Sequence, residues 1–381
     1  MKVLFVCNNA YIIGNGLCAS ARNTVRKLRE HGVDARLLSG KNPDPNGPQP
    51  DFALDQFKFP FFEPIIRANG FSYAKIQRDV IAKALDWADV VHFEEAFPLE
   101  SVVRKMALEQ GKACTATYHL YPHNITANLG MGKNNPLNKW IINWTKSIVY
   151  NHCSDIQCPT AEVARYLREN KIGARLHVIS NGLQLPEEPV KAQEVLPDDP
   201  IDILCIGRLA REKSQETLLE AMRHSRYASR IQLRFAGHGA KEKAYKKMAR
   251  RLIDQGILRY EPTFGFYSGP ELRELSRKCY LYIHCAWVEV EGLSCLEATR
   301  EGLVPVIGEG SLVGTSGFAL CPESLYPLGD SKALAERIDW WIEHPEERNK
   351  MAQAYADAAR NYDIDKSIDA LVAMFEQSLQ K

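Results

Sequence analysis

The sequence is 381 residues long, with 45% hydrophobic and 25% charged side chains, which suits a water-dissolved fold with two cores. A formal net charge of +1 with no dense Lys/Arg run argues against nucleic acid as partner. No apolar stretch approaches the ~18 residues that span a membrane, and Met1–Cys7 is too short for a signal peptide.

The ten cysteines form no C-x-x-C, and most fall in apolar runs, so they read as buried free thiols in a reducing cytoplasm. The charge is unevenly placed: residues 1–183 hold 22 Lys/Arg against 16 Asp/Glu. A mildly basic first half suits an anionic surface, such as the inner face of a membrane on which the protein could lie peripherally.

In chain order, residues 2–7 read as a buried strand, Gly14-Asn15-Gly16 as a glycine-bearing loop, and 20–31 as a helix closed by Gly32. Residues 35–38 are the second strand. No G-x-G-x-x-G is present and no acid ends the second strand, so a nicotinamide dinucleotide is not indicated. Residues 41–75 are rich in Pro and Phe. Phe57, Phe59, Phe61, Phe62, Ile65 and Ile66 either pack over the core or form an apolar surface for a greasy ligand.

A helix over 73–87, a strand over 89–93 ending in Glu94-Glu95, a helix over 99–110 and a strand over 113–118 follow. His119 then stands at a strand's carboxyl end, where open α/β sheets bind ligands. Residues 121–128 read as a polar loop. The spacing of Leu137, Trp140, Ile141, Trp144 and Ile148 predicts an amphipathic helix over 136–150, fit for a core or for a membrane interface. Strands at 155–158 and 176–179, the turn Ser180-Asn181-Gly182 and a Pro-rich linker over 185–200 complete this half.

A second βα series opens at 201–206. Arg208 and Lys213 lie just past that strand, where an Arg and a Lys can clamp a diphosphate. A helix over 215–223, a strand over 231–236, the turn Gly237-His238-Gly239, a basic helix over 241–251 and a helix over 270–278 follow. The strand 280–285 then leads through Gly292 into a helix over 294–300, closed by Gly302 before the strand 303–307. Helix N-termini gather free N–H groups that favour an anion, and Glu289 and Glu297 bracket this one. From Leu325 onward the pattern reads as helical. Asp363-Ile364-Asp365 reads as capping rather than as a metal site, and no metal ligand set is recognised.

Two doubly wound halves joined by a Pro-rich linker resemble the GT-B architecture: α/β, with two Rossmann-like domains facing a cleft. The match is carried by Gly14-Asn15-Gly16, Thr117-Tyr118-His119, Ser180-Asn181-Gly182, Gly207-Arg208 with Lys213, Gly237-His238-Gly239 and Glu289-x7-Glu297 with residues 302–307. These resemble the retaining glycosyltransferase family numbered four (glycosyl transferases group 1). The resemblance implies an acceptor-binding domain over 1–184 and a nucleotide-sugar domain over 201–361, with a last helix (362–381) packing back on the first. It implies that Arg208 and Lys213 hold the donor diphosphate, that Glu289 contacts sugar hydroxyls and Glu297 ribose hydroxyls. Gly292, Leu293 and Ser294 would meet sugar and phosphate through backbone N–H groups. Gly14, Gly16 and Gly237 would also belong to the donor site, with Gly16 nearing the phosphate, and His119 would contact the sugar at the reacting carbon. The implied donor is a UDP- or GDP-hexose, with no cofactor and no metal.

Departures stand beside the match. Val290 and Glu291 replace the usual Gly and Phe, which puts a third carboxylate by the sugar. The aromatic loop 57–71, the Trp-bearing helix and the basic first half resemble lipid-glycosylating members, so the expected acceptor is a diacylglycerol, a ceramide-like lipid or a polyprenyl lipid. Rival readings are a polysaccharide or soluble-sugar acceptor, a nucleotide-sugar epimerase, and a nucleotide-sugar-binding module without turnover. A glycosidase is disfavoured because it has no use for the Arg208/Lys213 clamp.

Overall fold

A computed structural model describes residues 1–12, 15–58, 72–128, 130–132 and 135–380. Gly14 and most of the aromatic stretch, residues 59–71, lie outside them. The chain divides into two compact units: Met1–Thr126, Gly132–Asn181 and Ile364–Lys381 in one, Ala127–Met131 and Gly182–Asp363 in the other.

The first unit is built on a parallel sheet of β1 (Lys2–Val6), β2 (Asp34–Gly40), β3 (Phe52–Leu54), β6 (Val90–Phe93), β7 (Ala113–Thr117), β8 (Asp155–Cys158) and β9 (Arg175–Val178). Its strand order is β3-β2-β1-β6-β7-β8-β9, and a short antiparallel ribbon of β4 (Gln56–Phe57) and β5 (Tyr73–Ala74) lies apart from it. Helices cover the sheet, so β1 is apolar at Val3, Leu4, Phe5 and Val6, all fully buried. The last helix, Ile364–Leu379, belongs to this unit and packs Ile368, Met374 and Phe375 on Val3, Phe5 and Val90. Lys27 and His31 both reach Asp365 in its first turn, at 2.8 and 3.1 Å, so Asp365 is an ion-pair partner.

Several elements differ from the sequence expectation for local reasons. The first helix, α1 (Gly16–Glu30), starts four residues early because the Asn15 side chain caps it, accepting from Leu17 N at 3.0 Å. The expected loop at 121–128 is largely the short helix Pro122–Asn128. A helix at Ala161–Glu169, capped by Thr160, went unread. In the helix Pro136–Ile148, Asn138, Ile141 and Ile142 are buried while Trp140 is 60% exposed. The buried face is thus turned roughly 100° from the apolar stripe, one residue step of the helix. Trp140 stacks on Trp144 at 6.0 Å between centroids.

The second unit repeats the plan with β10 (Ile201–Ile206), β11 (Ile231–Ala236), β12 (Thr263–Gly265), β13 (Leu281–His284), β14 (Val304–Glu309) and β15 (Leu325–Pro327), in the order β12-β11-β10-β13-β14-β15. The stretch after Leu325 therefore opens with an edge strand paired to β14 before it turns helical at Ser331. Ile203, Leu233, Ile283, Val306 and Trp341 centre its core. All ten cysteines are free, nine of them buried. No helix among the described residues is long and apolar enough to cross a membrane.

Candidate functional site

In a doubly wound sheet the strand order reverses once, and the chain leaves the two central strands in opposite directions, opening a crevice at their carboxyl ends. In the second unit those strands are β10 and β13. After β10 come Arg208 and a single 3-10 turn, Arg211–Lys213; after β13 comes Glu289. Lys213 Nζ donates to the Glu289 carboxylate, and Arg208 Nη2 donates to Glu212 Oε1 at 2.5 Å. Each cation therefore has its own carboxylate. The loops are tied together by Trp287 N donating to the Glu212 carbonyl at 3.0 Å. Desolvation would raise the Glu289 carboxyl, but Lys213, His284 and Arg208 more than offset it, so it stays below the usual carboxylate range. The Glu289 side chain is 17% and that of Lys213 24% exposed, so a ligand can reach both.

Below Glu289 lies a polar chain that the sequence reading missed. Thr315 Oγ1 donates to the Glu291 carbonyl at 3.0 Å. Its one proton is thereby used, so it accepts from His284 Nε2–H at 3.3 Å. His284 Nδ1 then accepts from the Tyr282 hydroxyl at 3.0 Å, and Ser294 Oγ donates to that hydroxyl oxygen at 3.1 Å. Burial lowers the His284 pKa to about 4, so the ring is neutral at pH 7 even though Glu289 lies 3.8 Å away. The visible signal was a His in an otherwise apolar strand. Thr315 gave none, because only the fold brings it here.

The chain also fixes the turn before the helix Leu293–Arg300. Gly292 has φ +81°, and a Cβ there would sit 2.2 Å from Thr315 Oγ1. Gly237 is required in the same way, since a Cβ would meet the Gly207 carbonyl oxygen at 2.2 Å. Leu293 and Ser294 head the helix, and Glu297 is exposed one turn in. Glu291, expected to add a third carboxylate by the sugar, lies beside this turn. It is 3% exposed, and its carbonyl accepts from Thr315.

In the first unit the central strands are β1 and β6, and polar groups after these and after the neighbouring β7 cluster. His119 Nε2 lies 2.5 Å from Glu94 Oε2, with side-chain exposures of 6% and 3%. Desolvation would raise the Glu94 carboxyl, but the charge and hydrogen bond of His119, with His92, bring it below its ordinary value. Asn8 Nδ2 donates to Glu95 Oε2 at 3.0 Å and to both Glu100 oxygens at 3.0 and 3.2 Å. Burial, then the Glu95 charge, push the Glu100 pKa well up. Gly16 is the first residue of α1, beside the cap Asn15. Glu94 and Glu95 were legible as acids ending a strand. Glu100 carries no signal of its own in the expected helix, although it is fully buried and closes the capping box of Pro98–Glu109 by accepting from Phe97 N at 3.1 Å.

Two family models match end to end: Glycosyltransferase Family 4 over residues 14–185 and Glycosyl transferases group 1 over residues 186–357. The chain is 21% identical to "Putative glycosyltransferase EpsD" of Bacillus subtilis over 306 residues, 75% of this chain and 76% of that protein. Among solved structures it is similar to sucrose-phosphate synthase of Thermosynechococcus elongatus, with TM-score 0.71, 16% identity and 99% of each chain covered. It is also similar to Anabaena HepE in complex with UDP and glucose, with TM-score 0.66, 14% identity and 98% of each chain covered. These structural likenesses carry the fold: two parallel doubly wound sheets of GT-B type.

Proposed function

The chain belongs to the glycosyltransferases of GT-B fold, and we propose that it is a retaining, metal-independent hexosyltransferase that uses a nucleotide-diphosphate sugar. The observation that carries this reading is the pair of ion pairs at the β10/β13 switch point, Lys213–Glu289 and Arg208–Glu212. A diphosphate entering there offers both cations a better partner. Lys213 turns from Glu289 to a phosphate oxygen, and Glu289, freed and ionised, accepts from sugar hydroxyls. Arg208 makes the same exchange from Glu212. As the bond from the sugar's anomeric carbon to phosphate breaks, charge grows on the phosphate and the two cations stabilise it. The acceptor oxygen bonds to the same face of that carbon, and its proton passes to a phosphate oxygen, so the chain supplies electrostatics rather than a base. His119 meets the sugar near the reacting carbon. Gly16, Gly237 and the backbone N–H groups of Gly292, Leu293 and Ser294 approach the donor, and Glu297, being exposed, takes the ribose hydroxyls. The donor class is supported by the group 1 model; the Anabaena neighbour is itself solved with UDP and glucose.

For the acceptor we propose a membrane lipid reached from the bilayer surface. The reading is supported by the outward stack of Trp140 on Trp144 next to the exposed Lys139, the mixture that interfacial helices carry. The test is a matrix of UDP- and GDP-hexoses against lipid extracts and soluble sugars, with the anomeric configuration of the product read by NMR. Flotation with anionic vesicles runs alongside, including Trp140→Ala/Trp144→Ala. A glycolipid product with the donor's configuration, and weaker flotation of the double variant, are expected. Transfer to soluble sugars by a protein that ignores vesicles overturns the acceptor, an inverted product overturns the mechanism, and a product without any acceptor favours an epimerase.

A further inference from the structure

Beside the His119–Glu94 pair runs a chain of hydrogen bonds whose direction can be worked out from its far end. Gln157 Nε2 donates to the carbonyls of Ile179 and Ser180 at 3.0 and 3.4 Å, so its Oε1 must point the other way, where Thr117 Oγ1 donates to it at 2.6 Å. A hydroxyl has one proton, so Thr117 is an acceptor toward His92 Nε2 at 2.8 Å. His92 therefore carries its proton on Nε2 and accepts at Nδ1 from Thr115 Oγ1 at 2.8 Å. Burial lowers the His92 pKa to about 4, so the ring is neutral and its single proton is committed. Although His92 Nε2 lies 3.9 Å from Glu94 Oε1, it has no proton to give it. Glu94 is left to accept from His119.

We infer that Glu94 is the positioning residue of the reaction centre: it holds the proton of His119 on Nε2, fixes the ring plane, and leaves Nδ1 as the nitrogen offered to a ligand. The inference rests on the reading that His119 meets the transferred sugar. A carboxylate bonded to one imidazole nitrogen selects the tautomer and steadies any positive charge on the ring, without touching substrate itself. The titratable groups near His119 are Glu94, which hydrogen-bonds it, Glu95, which is coupled to it through charge, and the neutral ring of His92. Of these, only Glu94 can both accept its proton and fix its orientation.

The test uses the full chain with ring-15N histidine. In the wild type, His119 should carry a proton on Nε2 at every pH at which Glu94 is ionised. In Glu94→Gln, His119 should become a mixture of tautomers while the His92 signals stay put, since His92 answers to Thr117. With folding checked by melting, Glu94→Gln should lower kcat roughly ten- to a hundredfold with donor KM within about twofold; the ~10^4-fold losses belong to sites where the paired histidine itself moves the reacting proton. A wild-type His119 protonated only on Nδ1 overturns the inference without any variant. So does a Glu94→Gln enzyme that turns over normally while His119→Ala does not. If His119→Ala itself keeps the wild-type rate, the reading of His119 has failed and the inference falls with it, even where the ring spectrum changes as expected.

Discussion

The two sheets place polar groups at the same topological point and furnish it with opposite chemistry. After β10 and β13 the crevice holds two cations, each paired with a carboxylate: Arg208 with Glu212, Lys213 with Glu289. After β1, β6 and the neighbouring β7 the first sheet holds an imidazole–carboxylate pair, His119 with Glu94, beside two acids bridged by Asn8. Paired cations can trade partners with an incoming diphosphate at little desolvation cost, because their charges are already compensated. A buried His–Glu pair with a fixed proton direction cannot trade, so it suits orientation. Topology decides where a ligand can bind; the residues in the first turn after each strand decide what it can be.

The largest effect should come from Lys213→Ala. It removes one charge donor from the leaving group, which should cost roughly 2.7–4 kcal/mol in the barrier, or about 10^2–10^3 in kcat. It also strands Glu289. Because the folded-state pKa of Glu289 lies below its ordinary value, the wild type gains stability above the unfolded pKa and loses it as pH falls through the folded one. The variant should therefore melt lower at pH 7, and the gap should narrow as pH falls below the ordinary carboxylate range and through the folded pKa of Glu289. Near-wild-type turnover in Lys213→Ala would dissolve the contrast between the two crevices.

Next in size is Gly292→Ala. A left-handed Ala costs about 1–2 kcal/mol, and the Cβ would sit 2.2 Å from Thr315 Oγ1, so either the turn or the hydroxyl chain must move. Together about 2–4 kcal/mol of stability should go. Adding Thr315→Ala removes the hydroxyl and should recover the steric part but not the backbone part. If the double variant is no better than the single, Thr315 is not what the glycine makes room for.

How much of this was legible depends on whether a residue's neighbour is near in sequence. Arg208 with Lys213, and Glu289 with Glu297, announce themselves by local spacing after a strand, and the alternating βα pattern announces two parallel sheets. Thr315 under Gly292, and Gln157 behind Thr117 and His92, are partners brought together by the sheet across gaps that no period encodes. The Trp140 stripe failed differently. Hydropathy places both tryptophans with Ile141 on one side, but the unit buries Asn138 and Ile142 as well, because Thr126 donates a hydrogen bond to Asn138 Oδ1 at 2.7 Å.

A smaller effect separates the acid pair of the first unit from the His–Glu pair beside it. The Glu100 pKa is raised, so Glu100 favours the fold while protonated, and that contribution is lost as pH rises through its folded pKa. Glu100→Gln removes the charge, as protonation does, and keeps an acceptor for Phe97 N–H. The variant should gain on the wild type as pH rises above the ordinary carboxylate range, by about 1.4 kcal/mol for each unit by which the wild-type pKa is raised. Melting curves across that rise in pH check it, and a gap that widens toward acid would reverse the assignment.

The smallest effect on the fold, and the cleanest on function, should come from Gly16→Ala. Unlike Gly292, Gly16 has an ordinary backbone, and a Cβ there would meet nothing within 4 Å among the described residues. Within α1 the fold should be unchanged or steadier by up to about 1 kcal/mol, the usual helical preference for Ala over Gly. The fold therefore does not require glycine here, and any penalty in turnover has to come from what approaches the helix start. A melting temperature at or above wild type with a several-fold rise in donor KM places the donor's phosphate against Gly16. Unchanged KM would leave the first crevice to His119 and Glu94 alone.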